Sequence, residues 1–211
     1  MKIFLTGKNG GIGSSILDLL LHSNIDVVSP SSNELDLGSD FCAEYENDVF
    51  DGIIHCAGIN NVKPYDQVSK NEFIKLFNIN TLSFLKLCST LKFNNGANVI
   101  AIGSLYATDT KEGRIQYTMS KHALWGAVKT LAIEMADNSI KVNMISPGFV
   151  QTAMTMGNNS EERIHFLNNN IPLGMTKPED IAKTCLFLLE NNNAITGQNI
   201  IIDGGYSLKG L

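Results

Sequence analysis

A chain of 211 residues, 44% hydrophobic and 18% charged, is long enough to bury one core and too apolar to remain disordered. Its net charge of -5 and the absence of any Lys/Arg run argue against a nucleic-acid or anionic-membrane surface, and no stretch reaches the roughly 18 apolar residues of a membrane span. Cys42, Cys56, Cys88 and Cys185 are widely spaced, without a C-x-x-C pair or histidines at metal spacing, so reduced thiols, no metal and a cytoplasmic location are expected.

The apolar run at the N-terminus is too short for a signal peptide and stops at a glycine turn. Residues 2–5 read as a buried strand, and 13–21 as a helix with Ile16, Leu17, Leu20 and Leu21 on one face. Strands follow at 26–29 and 52–56, then a long helical region at 72–91, a strand at 98–102, a helix at 117–136 and a strand at 141–145. Thr176-Lys177-Pro178-Glu179 marks the start of a helix at 178–189, and Asn199–Ile202 is the last strand. Asn-rich stretches at 168–170 and 191–193 read as turns, and no repeat or linker divides the chain, so a single domain over 1–211 is expected.

Uniformly apolar strands alternating with helices predict an α/β fold, a parallel sheet covered on both faces. Such sheets bind ligands at the carboxyl ends of their strands. Only residues 30–34 separate the second strand from Leu35-Asp36-Leu37, whereas a parallel crossover needs a dozen or more residues. The connection between strands 2 and 3 is therefore shortened: no helix is expected between Ser29 and Leu35, and Leu35-Asp36-Leu37 is a stub or extended segment.

The first strand runs into Thr6-Gly7-Lys8-Asn9-Gly10-Gly11-Ile12-Gly13 and then a helix. Glycines let the backbone approach a pyrophosphate, while the helix start offers free N–H groups and partial positive charge. Further along, Ser104 follows a strand, and Tyr117 and Lys121 share one face of the next helix. A phenol titrates near pH 10, and a neighbouring ammonium is expected to lower that value toward the range useful for proton transfer. Ser104 could hold the same substrate oxygen.

Together these residues resemble the short-chain dehydrogenase/reductase family, single-domain Rossmann-type oxidoreductases. Thr6, Gly7, Gly11, Ile12 and Gly13 match its cofactor motif, with Asn9 inside it. Cys56-Ala57-Gly58 resembles its Asn-Ala-Gly motif, Pro147-Gly148-Phe149-Val150-Gln151-Thr152 its Pro-Gly segment, and Thr196-Gly197-Gln198 with Asp203-Gly204-Gly205 its closing strand. The resemblance implies a doubly wound, three-layer sheet, with Asn80, Ser104, Tyr117 and Lys121 catalytic and Lys121 also on the nicotinamide ribose. Asn80 would support a proton-relay water, and the cofactor would meet Pro147, Gly148, Val150 and Thr152. It implies a homodimer or homotetramer paired through the helices at 72–91 and 117–136. His55 departs from the family's asparagine and is expected to be a hydrogen-bonded structural group.

No carboxylate follows the second strand at the counted position, near Ser31, so Ser31 and Ser32, helped by Lys8, favour NADP(H) over NAD. Asp36 is a candidate for the adenine side. Ser104, Tyr106, Phe149 and Met154, with Leu105 and Met156, suggest a largely apolar substrate wall, with 154–166 as a mobile lid. The expected reaction interconverts a carbonyl and a secondary alcohol, on a 3-oxoacyl thioester, a sugar-derived ketone or another small carbonyl. The alternative is a catalytically silent NAD(P)-binding regulator or scaffold of the same fold.

Overall fold

In the computed structural model, which describes residues 1–39, 45 and 47–209, β1 (Lys2–Thr6) pairs with β2 (Asp26–Val28) on one side and β3 (Val49–His55) on the other. The sheet continues through β4 (Lys92–Ile102), β5 (Lys141–Pro147) and β6 (Asn199–Ile202), every pairing parallel, in the order β2-β1-β3-β4-β5-β6. The helices are α1 (Gly11–His22), α2 (Lys70–Phe77), α3 (Ser83–Thr90), α4 (Ile115–Glu134), α5 (Ala153–Gly157), α6 (Glu161–Asn170) and α7 (Pro178–Glu190). This is the Rossmann-like α/β arrangement that the apolar strands predict.

The central segments of the strands are apolar because both sheet faces are covered. Phe4, Ile53, Val99, Ala101 and Val142 enter one core with Phe84 and Leu87 of α3 and Leu124 and Val128 of α4. Their neighbours Ile3, Leu5, Ile54, Ile100 and Ile145 point the other way, against Ile16 and Leu20 of α1 and Ile181 and Leu188 of α7. Each fully buried side chain of this kind contributes roughly 1.5–3 kcal/mol.

Several elements differ from the sequence reading. The helical region 72–91 is interrupted by a π turn, Asn78–Leu82, where the buried Asn80 amide reaches across to other backbone instead of lying along a regular helix. β4 begins six residues before Asn98: Phe93 pairs with Phe50, and a register shift with Gly96 at φ +82 carries the polar stretch between them. Segment 154–166, expected as a lid, carries α5 and much of α6, capped by the Thr152 and Ser160 side chains. Between Ser29 and Leu35 there is one turn, with Glu34 and Leu35 N–H both donating to the Ser31 carbonyl, and no helix. Leu35 packs into the core beside β1, and no strand lies beyond β2 among the described residues. Cys42 lies outside the described residues; Cys56, Cys88 and Cys185 are unpaired.

Candidate active site

Strand order reverses between β1 and β3, and a cleft of about 660 Å³ opens at the carboxyl ends of the strands there, where doubly wound sheets take ligands. It runs from Ser31, Ser32 and Asp36, past the glycine turn and Cys56-Ala57-Gly58, to Ser104, Tyr117, Lys121 and Phe149. Gly7 has φ +79, and a β-carbon there would lie 2.7 Å from the Ala57 nitrogen. One on Gly13 would lie 2.0 Å from the Gly7 carbonyl oxygen, so only glycine lets α1 start this close to β1. No side chain caps α1, which leaves its first N–H groups for an anion in the cleft. A pyrophosphate fits this cradle.

Thr6 faces the protein. Cys56 and Ala57 N–H donate to its hydroxyl oxygen at 3.2 and 3.1 Å, leaving its proton for His55 Nδ1 at 3.0 Å. That pattern assigns the ring proton to Nε2, which donates to Ser83 Oγ at 3.4 Å, and Ser83 donates on to the Ile79 carbonyl at 2.7 Å. Thr6 and His55 thus tie β1, β3 and the π turn together, and His55 is the structural group its position suggested. Burial, and then the Lys121 charge, lower its pKa from 6.5 to about 3. The unfolded chain therefore binds a proton that the folded chain refuses, so this contribution to stability is full above pH 6.5 and is lost as pH falls toward 3. Urea unfolding should show a loss of roughly 2 kcal/mol between pH 7 and pH 5. His55→Asn should flatten that slope; an unchanged slope in the variant would contradict the assignment.

Ser104 follows β4, and its side chain accepts the Tyr106 N–H at 3.2 Å and lines the cleft together with Tyr117. Lys121 is buried; its Nζ donates to the Ile102 carbonyl at 2.8 Å and lies 5.7 Å from the Tyr117 ring centroid. Here the expected electrostatics are corrected. Burial pushes the Tyr117 phenol up to about 12, opposed by the Ser104 hydroxyl and the Arg114 charge, rather than Lys121 drawing it down. Burial also pulls Lys121 down to about 8. One N–H of the ammonium goes to the Ile102 carbonyl, and burial keeps Tyr117 a protonated acid at neutral pH. Asn80 accepts from Ile59 N–H at 2.9 Å and donates to the Ile59 carbonyl at 2.9 Å and Ser120 Oγ at 3.1 Å. No hydrogen bond joins it to Tyr117 or Lys121 among the described residues; Asn80 holds the strand end that carries Gly58.

On the facing wall, Pro147, Gly148, Phe149, Val150, Thr152 and Met154 all line the cleft. A β-carbon on Gly148 would meet Asp203 at 2.6 Å, so the Pro-Gly turn and the closing Asp203-Gly204 segment require each other. The Phe149 ring is braced edge-on by Tyr206 at 5.0 Å. The count of charges at the far end also changes. Glu34 folds back, accepting the Ser31 N–H at 2.6 Å and lying 4.0 Å from Lys8 Nζ, which itself donates to the Ser29 carbonyl. A carboxylate therefore stands beside Ser31, supplied by a residue three positions later than counting along the strand suggests. Arg114, 5% exposed and lining the cleft near Tyr117, was not anticipated; its place three residues before Tyr117 was the available signal.

A family model described as enoyl-(acyl carrier protein) reductase matches residues 39–207. The 3-oxoacyl-[acyl-carrier-protein] reductase FabG of Chlamydia trachomatis serovar D is 34% identical over 218 residues, covering 97% of this chain and 86% of that protein. Carbonyl reductase family member 4 of Xenopus laevis is 33% identical over 163 residues, covering 75% of this chain and 67% of the relative. Among solved structures, a short chain dehydrogenase family protein from Francisella tularensis subsp. tularensis SCHU S4 superposes with a TM-score of 0.82 at 26% identity, covering 98% of both chains. A 4-hydroxyisoleucine dehydrogenase complexed with NADH does so with a TM-score of 0.84 at 25% identity, covering 99% of both.

Proposed function

The chain belongs to the short-chain dehydrogenase/reductase family of NAD(P)-dependent oxidoreductases, and from that premise we propose that it interconverts a carbonyl and a secondary alcohol, with Tyr117 as acid/base. The observation that carries this reading is the convergence of Ser104, Tyr117 and Lys121 at one end of the cleft whose middle is the glycine cradle. The amides of Gly11, Ile12 and Gly13 would hold the pyrophosphate, Lys121 the nicotinamide ribose, and Val150 and Thr152 the nicotinamide. When bound, the reduced cofactor supplies the hydride that adds to the carbonyl carbon. Tyr117 gives its phenolic proton to the carbonyl oxygen, which Ser104 orients. Lys121 steadies the phenolate that results, and Asn80 keeps the Gly58-Ile59 wall in place as a positioning residue.

The cofactor is NADP(H). Ser31, Ser32 and Lys8 at the adenosine end support that choice, and Glu34, ionised beside Ser31, limits how strong the preference is. Titrating NADPH and NADH into the protein should show NADPH binding about tenfold more tightly, roughly 1.4 kcal/mol. Glu34→Gln should widen the gap; tighter binding of NADH would overturn the choice. Binding of either cofactor with no carbonyl turned over would favour the silent regulator instead.

A 3-oxoacyl thioester, the substrate class in the name of the Chlamydia relative, and small ketones both suit the reaction. A homodimer or homotetramer through α3 and α4 is supported by exposed Leu85, Met119 and Ile133 on those helices. No helix among the described residues is long and apolar enough to cross a membrane, and the unpaired Cys56, Cys88 and Cys185 accord with a cytoplasmic site.

A further inference from the structure

Arg114 is a buried cation with no ion-pair partner among the described residues. It immediately precedes α4, is 5% exposed, and its Nη1 is shielded from solvent without a hydrogen-bond partner. No salt bridge joins it to a carboxylate among the described residues. A guanidinium does not lose its proton, so unlike a buried lysine it cannot escape its isolation by becoming neutral. An uncompensated buried charge is costly, so a partner that the protein does not itself provide, such as an anionic ligand, is favoured there.

Its surroundings say where that ligand lies. Arg114 lines the cleft with Ser104, Tyr106 and Tyr117, and three residues on a helix bring it to the Tyr117 side. As the residue before α4, it stands one turn from Tyr117, at the reacting end of the cleft and away from the Ser31 end. An adjoining hollow, lined by Ser104, Tyr106 and Phe149, adds Lys111 and Arg163. Arg163 also has a buried Nε without a partner, although one of its terminal nitrogens donates to Tyr206 Oη at 3.2 Å. Asp109 is the carboxylate that lines this hollow; it is exposed on the rim and forms no salt bridge with the three cations among the described residues. The wall read from sequence as apolar therefore carries a positive pole next to the proton donor.

We propose that Arg114 anchors a carboxylate of the substrate, so that the chain interconverts oxo acids and hydroxy acids in preference to neutral ketones or thioesters. A planar carboxylate meets the guanidinium fork through two parallel N–H donors. The anchor also orients the carbonyl toward Tyr117. The reaction remains the one proposed above and rests on that reading: oxo acid, reduced nicotinamide and a proton give hydroxy acid and oxidised nicotinamide.

The test compares 2-, 3- and 4-oxo acids with their methyl esters, in wild type and Arg114→Gln. The acid-to-ester ratio of kcat/KM cancels any effect of Arg114 on Tyr117, because both substrates need that proton. Wild type should favour one acid over its ester by about 100-fold, and the variant should lose that preference, mainly through KM. An ester used as well as its acid by wild type, or a preference that survives in the variant, would overturn the proposal. Turnover of no carbonyl at all would count against the oxidoreductase reading instead. Calorimetry with butyrate and its neutral counterpart butyramide then reads the anchor by itself: butyrate bound by wild type and not by Arg114→Gln supports it, and equal or absent binding of the two probes overturns it.

Discussion

Tyr117→Phe is expected to lower turnover by about 10³-fold, roughly 4 kcal/mol in the barrier, while leaving NAD(P)H affinity within a factor of about two. The substitution removes one oxygen and keeps the ring, which packs edge-on against Tyr106 at 6.1 Å. The size of the effect follows from the phenol's protonation. With its pKa pushed up to about 12 by burial, Tyr117 carries its proton throughout the neutral range. The Cys56 thiol, also pushed up to about 12, is no acid at neutral pH, and Lys121, on the next turn of α4, donates to the Ile102 carbonyl, so the phenol is the proton donor placed beside Ser104. Binding should survive because the glycine cradle does not involve Tyr117. Steady-state kinetics and cofactor fluorescence on one preparation check both halves. Full activity in the variant would remove Tyr117 from the chemistry.

Gly13→Ala is expected to raise the dissociation constant for NAD(P)H by 100-fold or more, about 2.7 kcal/mol. The added carbon would lie 2.0 Å from the Gly7 carbonyl oxygen and 2.6 Å from its carbon, and those are backbone atoms that cannot swing aside. Relief requires Gly7 to move, yet Gly7 sits at φ +79 against the Ala57 backbone, so the turn must open as a whole. Opening also costs folding stability, about 1–3 kcal/mol for forced overpacking. Gly126→Ala in α4 is the control for cofactor binding, since nothing within the protomer lies within 4 Å of its new carbon. There the helix should gain about 1 kcal/mol. Fluorescence titration and urea unfolding of both variants separate the two sites; unimpaired binding by Gly13→Ala would mean that the cofactor does not rest on this turn.

How much was legible in the sequence depended on how local each signal is. Ile3 and Leu5 with Phe4 between them, or Ile100 with Val99 and Ala101, announce a strand buried on both faces because no polar residue interrupts them. The glycine turn is legible for a similar reason, since the requirement at Gly7 and Gly13 is steric and only one residue type meets it. Asn94-Asn95-Gly96 concealed the start of β4, because a bulge accepts polar residues and positive φ that a regular strand rejects. Spacing locates Tyr117 and Lys121 but not their electrostatics: burial and the Ile102 carbonyl compete with the ion-pair effect that spacing alone suggests. Glu34 and Arg114 lay further from reach. One depends on a chain reversal that brings a carboxylate back to Ser31, and the other on a pocket that leaves a cation without a partner.

We propose hydride transfer at the Ser104, Tyr117 and Lys121 end of the cleft. Its most direct test uses NADPH carrying deuterium on the transferable position of the nicotinamide, incubated with the oxo acids and esters, with the alcohol product analysed by mass spectrometry. One deuterium on the carbinol carbon per cofactor oxidised is the predicted result, with Tyr117→Phe forming that product about 10³-fold more slowly. Cofactor oxidised without deuterium in the product, or none oxidised with any carbonyl, would contradict it.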